Sequence, residues 1–551
     1  MTSRRRVAVV TGGGGGIGGA IAEQLGRGGW FVVTVDPLVT LDGSERLSDP
    51  GDTVAHRIVA AGGSAQASSA SVTDGDAIHA LFRQLVDQHG GLDAVVNVAG
   101  ITRQSYFAQG TEEDWLALLS VHLGGYLNVL EAALPLMAAA GHGRILGVTS
   151  GSGWRAADAG GYSCAKRAVA ALTWQLGANA PPGVTVNAIS PIANTRMVAA
   201  ALERARQAGK AGGGGGLTLN SMPGPEDLGP LGAHLVGDEF GWCSGQVLFA
   251  GGSEVAVVDQ PRLVEVVRTD EVTSLTRVLQ SVIPRAFATA ESAQASDGGS
   301  NPRFGPIFGE LDDPASPSEN VRSCAVVSDR PGMAAALTAA LEARSIACHR
   351  VEVGRDFGGA AAALKSVAEA TGPVDAIVLA LAGREAVTSH VDPWRVVLVD
   401  HRGLIEELHT DAAWARAAAD YAAASERGVH LVTLTDATTP SGRTRAQASA
   451  QLARAAAATR VTAFTASIEA HEKDTGESVG ELVTHLLTHP EAGALAGAEL
   501  AVGRGWIGLR RHPRPTGTVT YGGPAVPIWL DATLREMVGT GTGAPVPPEA
   551  R

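Results

Sequence analysis

The chain has 551 residues, of which 45% are hydrophobic and 18% charged, and its net charge is −13. This length predicts two or more domains, because one domain usually contains roughly 100–200 residues. The acidic balance argues against a nucleic-acid-binding surface, which requires clustered Lys and Arg. No apolar run reaches the ~18 residues of a membrane span. We therefore expect neither a nucleic acid nor a membrane as a partner.

The four cysteines are scattered along the chain, and none forms a CxxC pair. This spacing predicts neither a disulfide framework nor a metal site. The apolar run after the basic start, residues 7–10, is too short for an export signal and is better interpreted as a strand. These features predict a cytoplasmic protein without bound metal.

A glycine-rich turn follows this first strand. The turn reads TGGGGGIG (11–18) and is followed by apolar residues at helical spacing. A second apolar strand ends in Asp36, about twenty residues further on, where a dinucleotide-binding fold places the carboxylate for the ribose hydroxyls. In such a turn Gly12 permits the bend, Gly16 lets the backbone approach the pyrophosphate, and Gly18 allows close helix packing. The pattern predicts a dinucleotide site.

A second run of five glycines occupies residues 212–216 but has neither a strand before it nor an apolar helix after it. We interpret it as a surface loop. A role in covering the substrate remains the alternative.

Polar residues of catalytic type lie further along the chain. One predicted strand ends at Asn97, the next ends at Ser150, and the following predicted helix carries Tyr162 and Lys166 one turn apart. The Lys166 charge favours the phenolate of Tyr162 and lowers its pKa from the usual ~10. This arrangement suits a general acid or base for a carbonyl/alcohol pair, with Ser150 holding the substrate oxygen.

These motifs together resemble the classical short-chain dehydrogenase/reductase family, over roughly residues 5–260. The resemblance implies that Tyr162 exchanges the substrate proton, that Lys166 lowers its pKa and holds the nicotinamide ribose, and that Ser150 polarises the substrate oxygen. It also implies further cofactor-binding positions, which are Ile17, Ser71, Val72, Asn97, Ala99, Gly100, Pro191, Ala193 and Thr195. Of these, Thr195 would contact the nicotinamide carboxamide.

Several positions depart from the family pattern. Val98 replaces a second Asn, Ser71 stands where an Asp is common, and Ile192 replaces a Gly. The largest departure is His122, at the place of an Asn that holds a water in the family's proton relay. The segment around it resembles the dehydrogenase part of the peroxisomal multifunctional enzymes of β-oxidation. His122 is interpreted either as a proton relay or as a helix histidine bonded to a backbone carbonyl.

The second half of the chain repeats the pattern of the first without its chemistry. A shift of 285 residues places Gln447 and Gln451 on Tyr162 and Lys166, and Asp329 lies in a turn that has lost its glycines. A shift of 252 residues matches the ends of the two halves. The expected fold is α/β, with two doubly wound parallel-sheet (Rossmann-like) domains in tandem, the second degenerate. The predicted boundaries are 1–290, a linker at 291–318, and 319–551.

We expect an oxidoreductase that transfers a hydride between a nicotinamide cofactor and a small-molecule secondary alcohol or ketone. NAD(H) is favoured over NADP(H), because Asp36 would repel a 2′-phosphate and the glycine turn contains no Lys or Arg. Variable loops near 152–161 and 194–224 would bind the substrate. The alternatives are an NAD-dependent epimerase or dehydratase and a non-catalytic NAD-binding scaffold. The resemblance also implies a pseudo-dimer within one chain that pairs again as a homodimer.

Overall fold

The computed structural model describes residues 4–47, 53–154, 160–207, 222–268, 275–295, 321–383 and 392–542. The second glycine run and most of the predicted linker lie outside these residues. The described chain forms two α/β units, each built on one sheet with mainly parallel strands. The predicted fold class is confirmed.

The strands of both sheets are β1 Val7–Thr11, β2 Phe31–Val35, β3 Ser64–Ser68, β4 Ala94–Asn97, β5 Gly143–Val148, β6 Val184–Pro191, β7 Val247–Gly251, β8 Glu254–Asp259, β9 Leu263–Arg268, β10 Ser323–Val327, β11 Ala347–Val351, β12 Ala376–Ala380, β13 Val429–Asp436, β14 Val461–Ile468, β15 Glu499–Gly503, β16 Trp506–Arg510 and β17 Arg514–Thr520.

The α-helices that cover these sheets are α1 Gly16–Arg27, α2 Val54–Ala60, α3 Gly75–His89, α4 Glu112–Leu119, α5 Gly125–Ala140, α6 Gly160–Ala178, α7 Arg196–Gln207, α8 Pro225–His234, α9 Leu275–Val282, α10 Ala288–Ala295, α11 Pro331–Glu342, α12 Phe357–Thr371, α13 Pro393–Asp400, α14 Leu404–Ser425, α15 Pro440–Ala455, α16 Glu472–Thr488 and α17 Leu530–Thr542. Single π-helical turns join α4 to α5 and α9 to α10.

The first sheet has the strand order β17-β8-β7-β6-β5-β4-β1-β2-β3. Strands β3 to β7 are parallel, and their order is that of a doubly wound dinucleotide-binding sheet. The central strands β1, β4 and β5 are wholly buried because helices cover both faces. Their carboxyl ends meet at one edge of the sheet, where ligands bind in such folds.

The second sheet has the order β11-β10-β12-β13-β14-β15-β16-β9. Strands β10 to β15 repeat the parallel core of the first sheet, and β16 is antiparallel to β15 as β8 is to β7. The repeat inferred from the sequence is therefore present in the fold.

The two units exchange their terminal strands. Strand β9 follows β8 of the first unit but pairs with β16 of the second, with Val267 opposite Ile507. Strand β17 follows β16 and returns to pair with β8, with Pro515 opposite Val258. The next helices cross with their strands, so that Leu279 of α9 lies in the core of the second unit. The predicted boundary at residue 290 does not match this exchange, because residues 263–268 and 275–295 pack with the second unit.

Long helices form the interface between the units. Helices α5 and α6 of the first unit share one apolar core cluster with α13, α14 and α15 of the second. The residues Leu130, Val169, Leu408 and Ala448 represent these helices in the cluster and are all buried. Burial of this shared surface gives the chain the pseudo-dimeric arrangement expected from the sequence.

Among the described residues, one helical stretch is long and apolar enough to cross a membrane by length and composition, Glu112–Ala140. Its most apolar window is 61% buried inside the protein. The stretch comprises α4, the π turn and α5, and its apolar character is explained by packing in the apolar cluster that the two units share.

A buried ionic network crosses the interface beside the shared helices. Arg167 of α6 is paired with Glu499 of β15, and their side chains are 1% and 6% exposed. His512 lies between Glu499 (3.1 Å) and Glu291 of α10 (2.7 Å). Burial raises the pKa of Glu499, but the charges of Arg167 and His512 outweigh burial and hold that pKa below its usual value.

Replacing Glu499 by Gln should destabilise the protein at neutral pH by about 3–5 kcal/mol, because it leaves the buried Arg167 without its carboxylate. The lowered pKa of Glu499 fixes the pH dependence of this effect. Its contribution is complete above the unfolded pKa near 4.5 and is lost as the pH falls through the lower folded value. Urea unfolding of both proteins at several pH values measures the difference.

Glu131→Gln is the matched control, because Glu131 of α5 forms a second ion pair between the units, with Arg402 at 2.9 Å. Arg402 is 61% exposed, so this pair should contribute at most about 1 kcal/mol. Equal destabilisation by the two substitutions would contradict the role given to the buried network.

Candidate active site

The glycine turn between β1 and α1 has the geometry that a dinucleotide phosphate group requires. Gly12 has a φ of +64°, and a Cβ atom there would lie 2.8 Å from the backbone nitrogen of Ala99. Ideal Cβ atoms at Gly15 and Gly16 would meet nothing within 4 Å. The first turn of α1 therefore faces open space at one edge of the sheet, where backbone N–H groups attract an anion. The next residue, Ile17, is partly buried and packs against an apolar cluster of the first unit.

Asp36 is held at the end of β2, beside this turn. Its Oδ2 accepts a hydrogen bond from the Gly14 N–H (3.0 Å) and its Oδ1 accepts one from the Leu38 N–H (2.8 Å). A carboxylate fixed in this way places its negative charge beside the glycine turn.

The two predicted positions after β3 are engaged within the protein. The Ser71 hydroxyl is hydrogen-bonded to that of Thr73 (2.7 Å), and the Val72 carbonyl accepts from Asn128 Nδ2 (2.8 Å). Val72 itself is buried. At the position where the family commonly has an Asp, Ser71 therefore offers a hydroxyl that is already bonded to Thr73.

The segment 97–100 closes over the glycine turn. The Thr11 hydroxyl bonds the Asn97 side-chain oxygen (2.8 Å) and accepts from the Ala99 N–H (3.2 Å). Val98, which replaces the family's second Asn, donates its N–H to the Thr11 carbonyl (3.2 Å). The backbone of this segment is thus fixed to β1 although the side chain differs.

Tyr162 and Lys166 lie on the same face of α6, opposite the end of β5. Lys166 is 4% exposed, and its Nζ donates to the Val148 carbonyl (2.7 Å) while lying 5.8 Å from the centre of the Tyr162 ring. Burial lowers the pKa of Lys166 to about 7. Ser150 follows β5, and its Oγ accepts from the Ser152 N–H (3.3 Å). A partly exposed phenol beside a buried ammonium is suited to proton transfer near neutral pH.

His122 lies in the π turn between α4 and α5, with its ring edge against Tyr162 at 5.1 Å between ring centres. Its Nε2 is 2.8 Å from the Ile101 carbonyl oxygen, which is the backbone contact of the second interpretation given above. Burial, followed by the Lys166 charge, lowers the pKa of His122 to about 3, so the ring is neutral in the physiological range. Nε2 is also 3.3 Å from the Ile101 N–H, so it can donate to the carbonyl or accept from the amide, depending on which ring nitrogen carries the proton. Among the described residues, Nδ1 has no hydrogen-bond partner.

Gly100 provides the space that this histidine occupies. A Cβ atom at Gly100 would lie 2.5 Å from the His122 ring carbon Cε1. The histidine and the glycine segment are therefore fitted to each other, and a larger residue at position 100 would displace the ring.

The last predicted positions follow β6. Pro191 ends the strand, Ala193 is buried, and the Thr195 hydroxyl accepts from the Val198 N–H (3.3 Å) at the start of α7. The loop beyond α7 that was predicted to grip substrate lies partly outside the described residues.

The corresponding turn of the second unit is filled by its own side chains. Asp329 follows β10 and accepts from the Ala382 N–H (2.6 Å), and it is paired with Arg355 (3.1 Å). The Ser328 hydroxyl donates to the Ala380 carbonyl (2.6 Å). An anionic side chain thus occupies the place of bare glycine backbone in this turn, and its charge opposes the binding of a pyrophosphate.

Arg167 is a residue of this region that the sequence reasoning missed. It follows Lys166 directly and turns away from the active site to Gln447 and Glu499 of the second unit. A charged residue within an Ala-rich helix that is predicted to be buried was the available signal, because such a residue needs a partner.

Comparisons with known proteins agree with this geometry. The family model for short chain dehydrogenases matches residues 6–206. The chain is 32% identical over 250 residues to the acetoacetyl-CoA reductase of Allochromatium vinosum, covering 45% of this chain and 97% of that protein. It is 33% identical over 199 residues to the peroxisomal hydratase-dehydrogenase-epimerase of Saccharomyces cerevisiae, covering 36% of this chain and 22% of that protein.

A solved structure matches both units together. The NADP-containing N-domain of a bacterial malonyl-CoA reductase has a TM-score of 0.62 and covers 90% of this chain and 97% of its own. At 15% identity this likeness concerns the fold alone. With the acetoacetyl-CoA reductase matched over nearly its whole length, the chain belongs to the short-chain dehydrogenase family.

Proposed function

We propose that the chain transfers a hydride between NAD(H) and the carbon of a secondary alcohol or ketone, with Tyr162 as the general acid or base. The observation that carries this proposal is the buried Lys166 one helical turn from Tyr162, at the sheet edge where the glycine turn opens. Hydride transfer as the reaction type is that of the family.

Four residues of the first unit have separate roles in proton transfer. In ketone reduction Tyr162 donates its hydroxyl proton to the carbonyl oxygen, and in alcohol oxidation its phenolate takes the proton back. The Lys166 ammonium stabilises that phenolate, and the Val148 carbonyl keeps the ammonium in place. Ser150 donates a hydrogen bond to the substrate oxygen, and the neutral ring of His122 relays protons behind Tyr162 by accepting at one ring nitrogen while releasing from the other.

The first unit fits a nicotinamide dinucleotide, which supplies or accepts the hydride when bound. The open backbone at Gly15 and Gly16 suits the pyrophosphate, and the fixed Asp36 carboxylate suits the adenosine ribose hydroxyls. The same carboxylate would repel a 2′-phosphate. We therefore assign NAD(H) as the cofactor, in preference to NADP(H).

Replacing Asp36 by Ala should weaken NADH binding by roughly 10- to 100-fold, the value of hydrogen bonds to a charged group. Binding of NADPH should be unchanged or improved, because the repelling charge is gone. Fluorescence titration of the two nucleotides measures both affinities.

Asp42→Ala provides the control for this prediction. Asp42 is an exposed carboxylate six residues after Asp36, and hydrogen bonds from Thr40 and Ser44 lower its pKa to about 2. Its loss should leave the ratio of NADH to NADPH affinity unchanged. An Asp36→Ala protein with the wild-type ratio would contradict the cofactor assignment.

The substrate class is proposed from the relatives. Acetoacetyl-CoA reductase and 3-oxoacyl-[acyl-carrier-protein] reductase are among them, so 3-oxoacyl thioesters and the matching 3-hydroxyacyl compounds are the first candidates. The test is a screen of these compounds and of simple ketones and secondary alcohols, followed by nicotinamide absorbance. Steady accumulation of NADH with an alcohol supports the proposal. Turnover without net change of NADH would favour an epimerase or dehydratase instead.

A further inference from the structure

Helix α15 of the second unit reaches the segment that follows Ser150 in the first unit. Gln451 Nε2 donates a hydrogen bond to the Ser152 carbonyl (3.1 Å), and the Arg454 guanidinium donates one to the Trp154 carbonyl (2.7 Å). Both donors lie on one face of α15, three residues apart. They cross the interface between the units.

The segment that they hold is a tight turn built on Ser150. The Ser150 carbonyl accepts from the Gly153 N–H (2.9 Å), and its hydroxyl accepts from the Ser152 N–H (3.3 Å). Ser152 therefore touches Ser150 with its N–H and Gln451 with its carbonyl. Trp154 ends the turn and is 2% exposed, packed against the α6 side chains of its cluster, which include Ala170 and Trp174.

The two donors of α15 are themselves fixed by burial. Gln451 is 2% exposed, at the position matched to Lys166 in the repeat. Burial lowers the pKa of Arg454 to about 10, while the carboxylates of Glu291 and Glu499 favour its charge. A guanidinium held in this way keeps its direction, because its rotamers are restricted before it meets the carbonyl.

Gln447, at the position matched to Tyr162, also contacts the first unit. Gln447 Oε1 accepts a hydrogen bond from Arg167 Nε (3.1 Å), on the helix that carries the catalytic pair. Both positions that lost their chemistry in the second unit thus bind the first unit. Contacts at these two places connect the second unit to Ser150 and to α6.

We propose that Gln451 and Arg454 are positioning residues for the substrate side of the active site. They hold the turn 150–154, and this turn orients the Ser150 hydroxyl toward the substrate. The second unit thereby sets substrate affinity without binding a cofactor. This inference rests on the proposed function, because it assigns Ser150 to the substrate oxygen.

The test uses the full chain with Gln451→Ala, Arg454→Met and Arg454→Lys. Hydrogen–deuterium exchange should show faster exchange in peptides covering 150–166 for the first two variants, with exchange in peptides covering 7–27 unchanged. With acetoacetyl-CoA, KM should rise about tenfold in Arg454→Met, which loses a charge-assisted hydrogen bond, and by a smaller factor in Gln451→Ala, which loses a neutral one. In both variants kcat and the NADH affinity should change less than about twofold, because the lost bonds lie outside the nucleotide site. Arg454→Lys should change KM and exchange less than Arg454→Met does, because it keeps a charged donor.

Arg460→Met is the matched control. Arg460 also donates from its guanidinium to a backbone carbonyl, that of Glu426 (2.8 Å), but inside the second unit and at an exposed site. This variant should match the wild type in every measurement.

Two results would overturn the inference. One is unchanged exchange at 150–166 in both Gln451→Ala and Arg454→Met. The other is faster exchange throughout the first unit, including 7–27, which would indicate a general loss of stability rather than positioning. If the wild type does not turn over acetoacetyl-CoA or any compound of the screen, the proposed function fails, whereas the exchange measurement still decides whether α15 holds the turn.

Discussion

Replacing Tyr162 by Phe should reduce turnover by about 10²- to 10⁴-fold, the usual contribution of a general acid or base. The phenyl ring keeps its place beside His122 and Lys166, so folding and NADH affinity should change little. Only the hydroxyl group that exchanges the proton is removed. Steady-state kinetics with the best substrate of the screen, together with an NADH titration, measure the two quantities.

Tyr126→Phe is the control for this loss of a hydroxyl. Tyr126 is a buried tyrosine of α5 whose hydroxyl contacts that of Thr173 (3.3 Å), and burial raises its pKa to about 12. It lies in the core and should leave turnover nearly unchanged. A Tyr162→Phe protein that retains wild-type turnover would favour the non-catalytic scaffold over the proposed enzyme.

Expressed alone, residues 1–290 should be poorly soluble or self-associating. This fragment lacks β17, so β8 becomes an edge strand with one side unpaired. It also lacks α17, whose Leu530 and Leu534 are fully buried against apolar residues of the first unit. It also carries β9 and most of α9–α10 without the second sheet that they complete. Several apolar surfaces are exposed at once, which favours aggregation.

Co-expression of residues 319–551 should rescue the fragment, because that piece supplies β17, α17 and the interface helices α14 and α15. Size-exclusion chromatography with light scattering should then find a one-to-one complex. A monodisperse, fully active monomer of residues 1–290 would contradict the interdependence of the two units.

Much of the first unit can be predicted from its sequence, because local patterns determine its parts. The buried run at 7–10, the glycines after it and the apolar residues of α1 specify strand, turn and helix without reference to the rest of the chain. The same holds for β4, for β5 and for the helix with Tyr162 and Lys166, although β5 ends at Val148, two residues before Ser150. The shift of 285 residues likewise located β13 and α15 of the second unit.

The strand exchange could not be predicted in this way. Residues 263–268 and 514–520 occupy matching places in the two halves, so either strand could complete either sheet as far as its pattern shows. The choice depends on the path of the chain between the units, which is a tertiary property. The contacts of Gln451 and Arg454 with the turn after Ser150 have the same origin, since they exist only once α6 and α15 are packed together.

The histidine at position 122 shows a further limit. The sequence left two interpretations of His122 open, a proton relay and a histidine bonded to a backbone carbonyl. The structure contains the backbone contact and also places the ring beside Tyr162. Its Nε2 contacts the Ile101 backbone, its Nδ1 is buried, and its ring lies against Tyr162. A π turn directs the ring, and no residue pattern specifies such a turn in advance.

Calorimetric titration of the full chain with NADH tests most directly whether the chemistry belongs to the first unit alone. The open glycine turn of the first unit and the turn filled by Asp329 in the second predict one binding site per chain. Asp36→Ala should weaken that single site. Two equivalent sites per chain, or the absence of NADH binding, would contradict the assignment of cofactor binding to the first unit alone.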